Sequence, residues 1–70
     1  MSVKKFTLQG EYIELIKLLK YLNIAENGAH AKWMVDEGLV ILNGIKENRK
    51  RAKIRSDDVI QVGEWIIEVS

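Results

Sequence analysis

The sequence predicts an α+β domain: two short helices packed on a small antiparallel sheet of about four to five strands. Three observations carry this reading. Leu and Ile recur at helical spacing from Tyr12 to Leu22, Asn43-Gly44 follows the apolar run Leu39 to Leu42 and leads into Ile45, and the chain from Val59 onward alternates as a second hairpin. With 70 residues the chain makes one domain, spanning 1–70, and 47% hydrophobic residues suffice for a thin core without staples.

Lys5-Phe6-Thr7-Leu8 alternates polar and apolar, which predicts a short strand with Phe6 and Leu8 inward; Gln9-Gly10 ends it. The first helix follows over Tyr12 to Leu22, with Tyr12, Leu15, Ile16, Leu19 and Leu22 on one face and Glu14 three residues from Lys17 on the other. Asn27 is a suitable N-cap for a second helix reaching about Glu37 and stopped by Gly38. Its core face is Ala31, Met34 and Val35. Trp33 falls on the other side, where it needs a cover, expected from the terminal strands, or a ligand such as a flat ring stacked on it. Leu39 to Leu42 is a strand, and Asn43-Gly44 supplies the positive φ angles of a type I′ turn into Ile45. Ser56-Asp57-Asp58 is a polar turn. Val59 to Val62 and Trp65 to Val69 form the last hairpin around Gly63-Glu64, with Trp65, Ile67 and Val69 facing the core. Tyr12 and Tyr21 read as packing residues.

Charge is distributed unevenly. Lys46 to Arg55 holds six of the eleven basic residues and one of the ten acidic ones, a surplus of five charges in a chain whose net charge is +1. The other sixty residues therefore sum to −4. Such asymmetry points one positive surface at a polyanion. Drawn out as an extended segment, Arg49, Arg51, Lys53 and Arg55 share one face over about 20 Å, a match to successive phosphates. The same row also reads as an edge strand charged against aggregation. Asn27-Gly28 at a helix start can cap or hold an anion, and His30 in the first turn can contact a bound polyanion or stay exposed.

Catalysis finds no footing. There is one His and no Cys, and no Gly-rich phosphate loop or metal-ligand pattern is present, so neither an enzyme, a cofactor nor a metal is expected. No apolar run approaches the ~20 residues that span a bilayer, and the N-terminus lacks signal-peptide character. The expectation is a cytoplasmic monomer away from membranes.

The motifs resemble a known family. Ile13 to Leu19, Ala31 to Gly44, Glu47 to Arg55 and Asp58-Val59-Ile60 together resemble the RNA-binding domain first named for small-subunit ribosomal protein four, the S-four domain or α-L motif. The resemblance covers about Tyr12 to Val62 and is nearest to the small stand-alone bacterial members. It implies recognition of structured RNA, ribosomal or transfer, with a ribosome or an RNA-modifying enzyme as a possible further partner. Carried over by position, the contacts are Lys32, Asn43, Gly44, Lys46, Arg49, Lys50, Arg51, Lys53 and Arg55. The chain departs from the family at both helix starts. Asn27-Gly28-Ala29-His30 stands where Ser-Arg-Arg is common, and Tyr12-Ile13-Glu14 where an arginine is common. Two rivals use the same patch or helices: an adaptor docking an acidic protein, and a small DNA-binding protein.

Overall fold

The computed structural model describes residues 2–70. The elements are β1 (Ser2–Phe6), β2 (Ile13–Glu14), α1 (Leu15–Tyr21), α2 (Gly28–Asp36), β3 (Val40–Leu42), β4 (Ile45–Lys46), β5 (Lys53–Ile54), β6 (Val59–Val62) and β7 (Trp65–Val69). Five strands form one sheet in the order β1-β7-β6-β3-β4, and β2 pairs with β5 in a separate two-stranded ladder. The predicted α+β class holds, with one correction. The main sheet is mixed and not purely antiparallel, because β1 lies parallel to β7 at its edge.

Both helices are short, and packing sustains them more than propensity does. In α1, Leu15, Leu18 and Leu19 recur at three and four residues and are fully buried. In α2, Ala31 and Val35 face them, with Met34 half-buried at the margin. The sheet contributes Val40, Ile60, Val62, Ile67 and Val69. Each large aliphatic side chain so enclosed stabilises the fold by about 1.5–3 kcal/mol. Both helices end in the same motif. Beyond α1, Asn23 takes φ 60° and the N–H groups of Asn23 and Ile24 donate to Lys20 and Leu19. Beyond α2, Gly38 takes φ 73° and the N–H groups of Gly38 and Leu39 donate to Val35 and Met34.

The two hairpins form as the sequence indicates. Asn43 and Gly44 have φ 50° and 85° between the paired residues Leu42 and Ile45, and Gly63 has φ 58° between Val62 and Trp65. The first strand lies earlier than expected, although Phe6 and Leu8 both pack against the core. The first helix begins at Leu15 and not Tyr12, because Ile13 and Glu14 are taken into the ladder opposite Ile54 and Lys53. Trp33 is also corrected. It is 53% exposed, because β1 and β7 complete the sheet and do not reach α2's outer face; its neighbour is His30, with ring centroids 6.1 Å apart. Tyr12 and Tyr21 are likewise exposed.

Candidate nucleic-acid interface

The basic segment is not one extended row. It leaves β4, turns at Lys50-Arg51 with the Ala52 N–H donating to the Arg49 carbonyl, and re-enters as β5. The period-two array of Arg49, Arg51, Lys53 and Arg55 is thus broken after Arg49. The cause lies at the start of α1. That helix has no side-chain cap, and its first free N–H groups are met by the basic loop: Leu15 donates to the Ala52 carbonyl at 2.9 Å and Ile16 to the Lys50 carbonyl at 3.3 Å. Ala52 and Ile54 are buried beneath the loop. Backbone bonds and two apolar anchors therefore hold the cations in place.

Three of the six cations turn back on the protein. Arg49 forks onto Glu47, its Nε 3.1 Å from Oε2 and its Nη2 3.2 Å from Oε1, while the Arg49 N–H also donates to Oε2. Glu47 is nearly buried, and the Arg49 side-chain bonds hold its carboxyl below the ordinary value of 4.5 against the opposing effect of burial. The same contact raises the Arg49 pKa. Lys50 pairs with Asp36 at the end of α2, Nζ to Oδ1 3.0 Å. Lys46 lies along Gly38, where an added Cβ would meet its Cδ and Nζ at 3.2 Å, close to the C-terminal end of α2.

All six cations are exposed, the Arg49 side chain at 75%, and the other three lack such a neighbour. Arg51, Lys53 and Arg55 are exposed and make no ion pair among the described residues. Arg51 occupies the centre. It lines a cleft of about 230 Å³ between the helices together with Glu14, Lys17, Lys20, Gly28 and Lys32. It also lines a neighbouring cleft of about 450 Å³ with Arg49, Ala52 and Lys53. The inter-helix cleft sets four cations against one carboxylate, and Glu14 is already paired with Lys17 at 3.7 Å. Low-dielectric walls focus such a field on an incoming anion.

This arrangement brings together Gly28, Lys32, Arg49, Arg51 and Lys53 from the sequence-predicted set. It adds Lys17 and Lys20, which sequence reasoning missed. Their signal was present, since two lysines three apart on α1 share a face. Asn27 and His30 serve the helix start: the Asn27 Oδ1 accepts from the His30 N–H at 2.8 Å, and the His30 Nδ1 accepts from the Glu26 N–H at 3.0 Å. Asn43, Gly44 and Lys46 line neither cleft. The Asn43 amide is a latch, donating to Asp58 at 3.0 Å and accepting from the Val59 N–H at 2.8 Å, while Asp58 also accepts from the Arg55 N–H at 2.7 Å. Among the described residues there is no group of three or more His, Asp or Glu placed to hold a metal, and no helix long and apolar enough to cross a membrane.

A helix pair, a tight hairpin on its flank and a basic loop docked against the first helix define an α-L module. The chain belongs to the S4 domain family, which it matches over residues 6–70. It is 36% identical over 58 residues to the Escherichia coli (strain K12) protein named "Putative RNA-binding protein YbcJ", covering 83% of each chain. It is 30% identical over 56 residues to the Bacillus subtilis (strain 168) protein named "Probable ribosome maturation protein RlbA", covering 80% of this chain and 79% of that one. The solution structure of E. coli YbcJ, described as revealing an α-L motif involved in RNA binding, superposes with a TM-score of 0.72 at 35% identity, over 93% of this chain and 84% of that one.

Proposed function

We propose that this protein binds structured RNA through phosphate contacts centred on Arg51. Lys17, Lys20 and Lys32 lie on one side of it, and Lys53 and Arg55 on the other. The observation that carries the reading is the place of Arg51 in both cationic clefts, on a loop whose carbonyls are bonded to the first turn of α1. A guanidinium carried on such a held loop can fork two N–H bonds to one phosphate, while the lysines act as point charges. Such a surface reads backbone shape and carries little base information.

The name of the E. coli relative supports RNA as the polyanion, and that of the B. subtilis relative, a ribosome maturation protein, favours an RNA of the ribosomal or transfer class. The reading includes residues 1–70 acting as one binding module with no reaction of its own. Anisotropy with a ribosomal RNA hairpin, a duplex DNA of equal length and heparin, measured across salt, tests it. The RNA hairpin should bind tightest, with log affinity falling linearly in log salt. Equal affinity for all three polyanions would replace RNA recognition by nonspecific charge attraction.

A further inference from the structure

We infer that the cleft beside the basic loop, lined by Phe6, Leu8, Tyr12, Ile13 and Tyr21, receives one unpaired RNA base. This inference rests on the RNA-binding reading above and adds a base contact to its phosphate contacts. The cleft measures about 270 Å³, and Thr7 and Gln9 stand at its polar rim. That volume lies below the roughly 300 Å³ at which pockets for drug-sized ligands begin, and it suits a single flat ring system. Its walls are aromatic where the rest of the chain is not: Phe, Trp and Tyr make up 7% of the sequence, and three of those five residues line this one cleft. Phe6 and Tyr21 meet edge to face at 5.4 Å and 77°, and Tyr21 is 70% exposed.

Charge complementarity identifies the occupant. Tyr12 is 42% exposed, the Lys53 Nζ lies 5.0 Å from its ring centroid, and the Arg55 guanidinium lies 5.8 Å from it. The β2–β5 ladder sets this geometry. Ile13 faces Ile54 and Glu14 faces Lys53, so Tyr12, one residue earlier, comes beside Arg55 on the outward face. One ring therefore borders both an apolar slot and two cations that carry no carboxylate partner among the described residues. A nucleotide has the matching halves: a flat base for the slot and a phosphate for Lys53 and Arg55. A purely apolar ligand would leave the cations unused, and a bare anion would leave the rings unused.

The test uses the full chain and two probes, an RNA hairpin with one bulged adenosine and the same hairpin with an abasic ribose at the bulge. Both have equal charge, so anisotropy at several salt concentrations isolates the base. The native protein should prefer the base-bearing hairpin by at least about fivefold, the worth of one stacked base. Tyr12→Ala and Tyr21→Ala should reduce that preference toward unity while leaving abasic affinity and salt slope nearly unchanged. Tyr12→Phe, which keeps the ring, should retain it. Replacing the bulged adenosine with 2-aminopurine gives a readout on the native protein alone, since stacking quenches its fluorescence. Equal native affinity for the two hairpins, or a preference that survives both alanine variants, overturns the base slot and leaves the phosphate surface standing. Failure of either hairpin to bind even at low salt overturns the RNA reading and the slot with it.

Discussion

The two halves of the basic segment each carry three exposed cations, and they differ in what those cations meet. In Lys46 to Lys50 the cations fold onto the molecule: Lys46 along Gly38, Arg49 onto Glu47 and Lys50 onto Asp36. In Arg51 to Arg55 the cations stay outward while Ala52 and Ile54 between them are buried. The first half also holds Glu47, so the halves sum to +2 and +3. What separates them is which neighbour each cation meets: a carboxylate for Arg49 and Lys50 and the Gly38 backbone for Lys46, against a cleft mouth or an aromatic ring in the second half. The first half positions the second.

The most severe way to break this contrast is to remove the anchor beneath the outward half. Ile54 is fully buried and pairs with Ile13, so Ile54→Ala should cost about 2–5 kcal/mol of unfolding free energy in a urea titration. RNA affinity should fall with the folded fraction. Next, Arg51→Ala should weaken RNA binding roughly tenfold or more, since a hydrogen bond to a charged group contributes about 1.5–3 kcal/mol. It should also lower the salt slope by about one and leave the urea midpoint in place. An Arg51→Ala protein with native affinity at every salt concentration would move the interface elsewhere.

Arg49→Ala should show the reverse pattern, in stability more than in binding. Glu47's carboxyl titrates below its ordinary value of 4.5 in the folded protein, chiefly because Arg49 bonds it. A carboxylate lowered on folding contributes stability that is full above its unfolded value and disappears as pH falls through its folded value. Melts taken from neutral pH down through that window should show the native protein losing this contribution in acid. The variant, with less of it to lose, should be less stable near neutrality and show a shallower acid dependence. A triple replacement of Arg49, Lys50 and Arg51 would mix the two effects, so the single variants are the informative ones. The smallest effect belongs to Lys50→Ala. Its bridge to Asp36 joins two solvent-accessible side chains and should contribute no more than about 1 kcal/mol, diminishing with added salt.

How much of this was legible in the sequence depended on the range of the interaction. The Asn43-Gly44 turn, the Asn27 cap and the Gly38 stop each depend on residues within a few positions of one another, and they formed as read. The face of α1 formed only in part: Leu15 and Leu19 are buried as expected, Leu18 joins them, Ile16 and Leu22 lie at the margin, and Tyr12 falls outside the helix. The β2–β5 ladder and the parallel β1–β7 pair join distant segments and carry no local signal. The missed turn at Lys50-Arg51 follows from the same ladder, because the loop's carbonyls bend to meet the open start of α1. Trp33 was expected under cover from the terminal strands, but β1 and β7 are committed to the sheet and the ring stays exposed beside His30.

By itself, the sequence determined the class of fold, the place of its turns and the concentration of positive charge in one segment, because periodicity, turn chemistry and charge are properties of neighbours along the chain. Only the tertiary structure decided which cations stay free, that Lys17 and Lys20 join them, and that Tyr12 stands beside Lys53 and Arg55. Those outcomes depend on which carboxylate, carbonyl or ring arrives from elsewhere in the chain, and packing the core is what brings it there.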